Sequence, residues 1–534
     1  MKIVVAEKIS KKGVDLLREE TKWRVVETEP ARDKLIPELK DADALLIRSA
    51  VQADAALLDA APKLQVIGRA GIGVDNVDIE AATRKGVLVM NTPGGNSVSV
   101  AEHTIALMLA MAHSVPQANE SMHAGKWEKK IFEGRELRGK TLGLMGLGRI
   151  GVEVVKRARA LELEILAYDP YVPALVARDL NVEMVSLDEL FSRSDYLSLH
   201  TPLTAETDHI INAQNLRKMK KGVRVVNCAR GELIDEEALA EAIRSGHVAG
   251  AALDVFAVEP PKNLPLASLP QVLLTPHIAG STAEAQEIVG YRIAEQVRDY
   301  LKQGIIINAV NMPAIPAEEY RALRPYLDLA ERLGLFLAQI ASGAAATVEV
   351  RYSGKLAQMN TNLARNAVLK GLLNHILDEK ANIVNAVAIA EARGIRIQET
   401  RAQRTQFIDS IRVALKSNGQ ESSAEGTILH GTEPRLLAFD NINVECPLEG
   451  NLVVLKNWDV PGVIGKIGTI LGKRGMNIAN FSLGRGRRAR GKAADQRVEA
   501  VCVVQVDGNV PPVVIKELNK IPANTFSRLV ELGS

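Results

Sequence analysis

Cysteine is scarce in this 534-residue chain: only Cys228, Cys446 and Cys502 are present, far apart in sequence. That number and spacing argue against a disulfide framework and offer none of the short intervals of a zinc site, so no metal is expected. Net charge is scarce too. With 66 Lys and Arg against 64 Asp and Glu, the formal charge is +2. Such a balance gives no general attraction to nucleic acid or to a membrane surface, and neither is expected as a partner. No uninterrupted apolar run approaches the length needed to cross a bilayer. Residues 2–7 read as a strand, with no charged and then apolar leader before them. The expectation is a cytoplasmic globular protein of about three to four domains.

What is present is concentrated in residues 140–169, KTLGLMGLGRIGVEVVKRARALELEILAYD. An apolar strand, Thr141–Met145, runs into a glycine turn, a helix, and a second strand, Glu164–Tyr168, that ends on an acid. Each glycine has a physical task. Gly146 permits the tight turn, Gly148 removes the Cβ that would block a pyrophosphate, and Gly151 lets the helix lie close on the strand. The helix start offers unpaired N–H groups and a partial positive charge to phosphates. Asp169, eighteen residues past Gly151, stands where a carboxylate accepts hydrogen bonds from ribose hydroxyls and repels a 2′-phosphate. The pattern predicts NAD ahead of NADP as cofactor.

Strands and helices alternate from the N-terminus: KIVVAE, a helix over residues 13–20, WRVVET, residues 44–48, LQVIGRAG and GVLVMN. Such alternation makes a parallel sheet. A long amphipathic stretch over residues 99–113 precedes the nucleotide unit, and the helical stretch 283–301 returns to complete the interrupted first domain. Residues 323–337 read as a further helix. Residues 416–426, KSNGQESSAEG, are polar and aperiodic and are expected to be a loop between strands. Residues 452–457 open a compact α+β module of about eighty residues, read as ββαβ-type. The basic stretch 485–497 falls between its later strands as a solvated hairpin tip.

Three segments after the nucleotide unit end an apolar strand on a polar residue, at the sheet edge where ligands of open parallel sheets bind. They are VRVVNCARGELID with Arg230, AALDVFAVEP with Asp254 and Glu259, and VLLTPHIAGST with His277. An alcohol loses hydride only if its hydroxyl proton is taken as well, which needs a base of near-neutral pKa. His277 supplies that base, and Glu259 is the candidate carboxylate that would fix its tautomer and favour the imidazolium. Arg230 can clamp a carboxylate bidentately and polarise a carbonyl oxygen in the reverse reaction. The set calls for a 2-hydroxy acid.

GLGRIG, HTPLT, NCARG, LDVFAVEP and PHIAGST, in this order over about the first 315 residues, resemble the D-isomer-specific 2-hydroxyacid dehydrogenase family. The resemblance implies that Arg230, Glu259 and His277 are catalytic. It also implies cofactor contacts at Arg149, Ile150, Asp169, Thr201, Ala229, Asp254 and Gly280. Within the family, LLIRSA, GRAGIGVDNVD and NTPGGNSVSVAEH bring Arg48, Arg69 and Asn96 to the substrate side, enough cationic groups for a substrate with one carboxylate and one phosphate. The N–H groups of Ile72 and Gly73 are candidate carboxylate donors in the manner of a nest. KWEKKIF resembles a basic segment that similar enzymes lend to the neighbouring subunit's substrate. Lys129 stands in it where Arg is usual.

The implied activity is NAD-dependent oxidation of D-3-phosphoglycerate to 3-phosphohydroxypyruvate, the entry to L-serine. The alternative is a glyoxylate or hydroxypyruvate reductase, or another D-2-hydroxyacid dehydrogenase, on the same scaffold. Residues 318–450 resemble the intervening domain of the family's long members, and NWDVPGVIGKIGTILGKRGMNIANFSLGR resembles an ACT domain, implying L-serine as a possible effector at Asn457, Asp459, Asn477 and Asn480. The expected fold is α/β. Two doubly wound parallel-sheet domains come first, a discontinuous substrate domain (1–98 and 283–317) and a Rossmann domain (99–282). An α+β intervening domain (318–450) and a ferredoxin-like ACT domain (451–534) follow. Both the lent basic segment and the ACT resemblance imply a homodimer or homotetramer.

Overall fold

The computed structural model describes all residues except 314, 316, 342–345, 378–380, 403–408, 418–419, 487–497 and 534. Among the described residues, four sheets form. The first contains β1 (Lys2–Val5), β2 (Arg24–Glu27), β3 (Ala44–Ile47), β4 (Val66–Arg69) and β5 (Leu88–Met90), in the order β2-β1-β3-β4-β5. All its pairings are parallel. Strands β1 and β3 are buried at every position, because parallel strands covered on both faces read as unbroken apolar runs.

The second sheet holds β6 (Thr141–Met145), β7 (Glu164–Tyr168), β8 (Glu183–Met184), β9 (Tyr196–Leu199), β10 (Val223–Asn227), β11 (Val248–Leu253) and β12 (Val272–Leu274). Its order is β12-β11-β10-β9-β6-β7-β8, again parallel throughout. Strand order reverses between β6 and β9, which opens the crevice where such sheets receive a dinucleotide. Helix Ala283–Gln303 leaves this sheet and returns to the first. Thr282 caps its start by accepting from the Ala285 N–H, and Gly304 ends it in the left-handed region. Its Ile293, Ala294 and Val297 join the core of the first domain.

The third sheet, β13 (Thr347–Ser353), β14 (Arg396–Arg401), β15 (Ser410–Ser417), β16 (Gln420–Leu429), β17 (Glu433–Phe439) and β18 (Ile442–Pro447), is mixed. Strands β13 and β14 run parallel and the rest antiparallel. Helix Ala317–Ile340 covers one face with Leu329, Leu333, Phe336 and Leu337. Here the structure corrects the loop expected at 416–426, since β15 pairs with β16 from Ser410↔Thr427 to Ser417↔Gln420. The apolar alternation of Ile411, Val413 and Leu415 stops before residue 416, so the polar segment carries no such signal although it pairs. On the outer face Arg412 bridges Glu421 of β16 at 3.3 Å and donates to Ser423 Oγ, and Lys416 bridges Glu349 of β13 at 2.8 Å, while Ala424 packs into the core on the other face.

The C-terminal module has β19 (Asn451–Trp458), β20 (Ile478–Arg485), β21 (Glu499–Val506) and β22 (Asn524–Glu531), in the order β20-β21-β19-β22. Helices Val463–Lys473 and Pro512–Leu518 complete a βαββαβ path, one helix and one strand more than the ββαβ reading. The second helix was illegible because it has only seven residues and starts on two prolines. The basic tip lies outside the described residues over 487–497. One sheet face, with Val453, Leu455 and Val504, packs on these two helices. The other, with Leu452, Val454, Val501 and Val503, shares a continuous core with the third sheet. No single helix among the described residues is long and apolar enough to cross a membrane, and no cluster there could hold a metal ion.

Candidate active site

The glycine turn after β6 has the geometry that its residues dictate. Gly146 takes φ +101°, and a Cβ on it would stand 2.6 Å from the His200 carbonyl oxygen. A Cβ on Gly151 would meet the Gly146 carbonyl oxygen at 2.5 Å, so the helix can close on the strand only with glycine there. Gly148 faces open space, with nothing within 4 Å of its Cβ position. Helix Arg149–Ala160 starts without a side-chain cap, leaving its first N–H groups free for a ligand. Asp169 braces the turn: one oxygen accepts from the Leu147 N–H and the other from the Tyr171 N–H, both at 2.9 Å. Ile150 is half-buried behind the exposed Arg149, whose stem approaches Gly94 of the first domain.

The catalytic candidates come together at the same edge. His277 Nδ1 lies 2.7 Å from Glu259 Oε2, and the other Glu259 oxygen accepts from the Phe256 N–H at 3.1 Å. That hydrogen bond raises the His277 pKa above its ordinary value, with burial opposing and the charges of Glu259 and Asp254 reinforcing. Burial pushes the Glu259 pKa up, but the bond and charge of His277 outweigh it and hold the carboxyl below its usual range. His277 itself takes φ +51°, a conformation side chains rarely adopt, and its N–H is pinned to the Asp254 carbonyl oxygen at 2.8 Å.

Asp254, expected as a cofactor contact, is fully buried and organises the histidine loop. Its Oδ1 accepts from Thr275 Oγ1 (2.6 Å) and the Ile278 N–H (2.9 Å), and its Oδ2 accepts from the Ala279 N–H (2.8 Å). Burial favours its neutral form, yet the bonds from His103, Thr275, Ile278 and Ala279 prevail and keep its pKa low. Thr201 is half-buried beside the turn, with its hydroxyl 3.4 Å from the Pro202 carbonyl. Ala229 accepts from Arg230 Nη1 at 2.6 Å, which orients the guanidinium.

Across the cleft, Arg230 Nη2 reaches Asp75 of the first domain at 3.1 Å. It also lies where a Cβ on Gly73 would sit, at 2.3 Å. Arg69 is mostly buried with its Nε unpartnered. Burial and the neighbouring charges of Arg230 and Arg48 lower its pKa, while Asp75 and Glu7 oppose them. Arg69, Arg230 and Arg48 thus act on one another across the cleft, offset in part by Asp75 and Glu7. Among the described residues, the N–H groups of Ile72 and Gly73 donate to no protein acceptor. Asn96 and Ser97, at the start of helix Ser97–Ala112, keep a buried Oδ1 and Oγ without partners. The Asn96 amide also lies 2.5 Å from the Cβ position of Gly280, joining the two domains' edges.

Residues 105–279 match the NAD binding domain of D-isomer specific 2-hydroxyacid dehydrogenases, 322–440 the D-3-phosphoglycerate dehydrogenase intervening domain, and 453–523 the ACT domain. Full-length likeness decides the family. D-3-phosphoglycerate dehydrogenase of Methanocaldococcus jannaschii is 43% identical over 523 residues, 98% of either chain. That of Archaeoglobus fulgidus is 43% identical over 534 residues, 100% of each.

The chain belongs to the D-3-phosphoglycerate dehydrogenase family.

Among solved structures, D-lactate dehydrogenase from Aquifex aeolicus, complexed with NAD and lactic acid, aligns with a TM-score of 0.52 and 29% identity. It covers 59% of this chain and all of its own. The two further sheets lie beyond that shared scaffold and match the family's intervening and ACT domains.

Not every candidate residue joins the cluster. Lys129 lies in the exposed turn Lys129–Ile131, and among the described residues it has no hydrogen-bond or ion-pair partner within the chain. The four effector candidates divide between two ends of the C-terminal sheet. Asn457 pairs with Ala500, whereas Asn477 directly precedes Ile478, which pairs with Val506. Six residues along β21 separate the two by about 20 Å. Asn457 is buried, its amide donating to the Trp458 carbonyl, and Asp459 is paired with Arg485 at 3.1 Å. Asn477 donates to Asp507, and Asn480 accepts from Ser482 Oγ. Motif reading passed over Asp75 and His103, although both stand inside the quoted segments. Asn76, beside Asp75 in the same segment, was passed over too, and Glu7 had no motif to announce it.

Proposed function

We propose that the chain oxidises D-3-phosphoglycerate to 3-phosphohydroxypyruvate with NAD, the first step of L-serine biosynthesis. The observation that carries this reading is the hydrogen-bonded His277–Glu259 pair set beside three converging guanidiniums. The open space at Gly148, the uncapped helix start and the braced Asp169 fit a dinucleotide, held by Gly146, Gly148, Arg149, Ile150, Gly151, Asp169, Thr201, Ala229 and Gly280. When bound, NAD supplies a hydride acceptor.

The chain's own residues do the rest. Glu259 occupies His277 Nδ1, so Nε2 is the atom that takes the substrate's hydroxyl proton. The imidazolium that results is stabilised by the Glu259 carboxylate. Arg230 and the N–H groups of Ile72 and Gly73 hold the substrate carboxylate, and Arg48 and Arg69 hold its phosphate. Asn96 supplies a buried acceptor between the domains. Lys129, exposed in its turn, serves the site of a neighbouring copy in a homodimer or homotetramer. The ACT domain supports small-molecule regulation, with L-serine as the effector. Because Asn457 and Asp459 lie about 20 Å from Asn477 and Asn480, one serine can meet both groups only where two copies adjoin. The enzyme is assigned to the cytoplasm.

Incubating the purified chain with NAD and D-3-phosphoglycerate at alkaline pH, where proton release draws oxidation forward, should produce NADH. No product, alongside brisk NADH consumption with glyoxylate or hydroxypyruvate, would replace the phosphoglycerate reading by a reductase on the same residues.

A further inference from the structure

Arg48 follows β3 in a short loop, residues 48–51, with neither helix nor strand to hold it. A long cation on such a loop would sample many positions, and ordering it on binding would weaken phosphate recognition. The loop is nevertheless fixed by two side chains from other segments. Glu7, just past the end of β1, accepts from the Arg48 N–H at 2.8 Å, from the Ala50 N–H at 3.1 and 3.2 Å, and from the Val51 N–H at 3.1 Å. Asn76 Nδ2 donates to the carbonyl oxygens of Arg48 at 2.8 Å and Val51 at 2.7 Å. The loop's donors are thus satisfied by Glu7 and its acceptors by Asn76. Of the two gripping side chains only Glu7 is charged, and with Asp75 it faces the guanidiniums of the site.

We propose that Glu7 is a positioning residue: by gripping loop 48–51 it sets the placement of Arg48, and so the preference for a phosphorylated over an unphosphorylated substrate. This rests on the reading that Arg48 and Arg69 receive the substrate phosphate. The Glu7 carboxylate is taken up by the loop's N–H groups, so it acts through Arg48. A bond between a backbone N–H and an ionised carboxylate is stronger than one to a neutral acceptor. Glu7→Gln therefore keeps the loop's shape through its one oxygen but loosens it, and Glu7→Ala releases it.

The test follows NADH consumption by the full chain with 3-phosphohydroxypyruvate and with hydroxypyruvate, and takes the ratio of the two kcat/KM values. Glu7→Ala is expected to lower that ratio by about tenfold to a hundredfold. The loss should fall on KM for the phosphorylated substrate, with kcat and the hydroxypyruvate values near wild type. Glu7→Gln should fall between the two. An unchanged ratio, or equal loss on both substrates, would overturn the proposal by reducing Glu7 to a general structural role. Should Glu7→Ala not fold, Glu7→Gln decides alone, since a ratio within twofold of wild type refutes it. A wild-type ratio near one is a separate outcome. It would remove the phosphate reading itself, and the specificity role of Glu7 with it.

Discussion

Asp254→Asn separates the loop that carries His277 from the chemistry proposed for His277. The wild-type carboxylate is fully buried and takes three close donors, two on Oδ1 and one on Oδ2, with His103 Nε2 farther off at 3.5 Å from Oδ1. Asparagine offers one oxygen. Turned to keep the Thr275 and Ile278 bonds, it sets its amide against the Ala279 N–H, donor facing donor. A buried donor left unpaired costs about 1–3 kcal/mol, and losing charge assistance on the other two bonds adds about 1 kcal/mol. If that total of about 2–4 kcal/mol falls on the competent loop, turnover drops by about one and a half to three orders of magnitude, at 1.4 kcal/mol per tenfold. The fold should survive, because Asp254 sits at the end of β11 and the pairing of β10 with β11 is unaltered. The assay is kcat for NADH formation, with amide hydrogen exchange over residues 275–279 as the structural readout. Turnover within twofold of wild type, with unchanged exchange, would refute the claim that this carboxylate holds the loop.

Two further perturbations test the rest of the edge. Glu259→Gln removes the main cause that raises the His277 pKa. Since oxidation needs the neutral imidazole, the acid limb of kcat/KM should move to lower pH while kcat falls; a limb that stays in place would assign it to another group. For stability the signs are opposite for the two partners. The raised His277 contributes below its unfolded pKa and loses this as pH rises through the folded value, and the depressed Glu259 loses its contribution as pH falls, so wild type should exceed Glu259→Gln most between the two. Gly148→Ala points a methyl into open space and should leave the melting temperature unchanged while weakening NADH binding about tenfold or more by titration. Unaltered affinity would mean that no pyrophosphate approaches there.

Much of this was legible because parallel βα units write themselves in sequence. Buried strands such as β1 and β3 are continuous apolar runs, and the glycine turn after β6 is dictated by contacts that any Cβ would violate. His277, Glu259 and Arg230 were readable because each ends a strand on one edge. Glu7 was not, since its partners are N–H groups more than forty residues away, and an N–H leaves no letter in the sequence. The β15–β16 hairpin was missed because the apolar alternation of Ile411, Val413 and Leu415 gives way from residue 416 to polar residues, paired across strands by contacts such as Arg412–Glu421. The effector candidates share a motif but not a place, because the helix between β19 and β20 returns the chain to the far end of the sheet before β20 begins.

The most direct measurement is NADH formation from D-3-phosphoglycerate by wild type and by His277→Ala, with NADH affinity measured on both. The account predicts clear turnover by wild type and a loss of about two to four orders of magnitude in the variant, at unchanged NADH affinity. A variant that retained most of its activity would contradict His277 as the base, and with it the reading of this edge as the catalytic one.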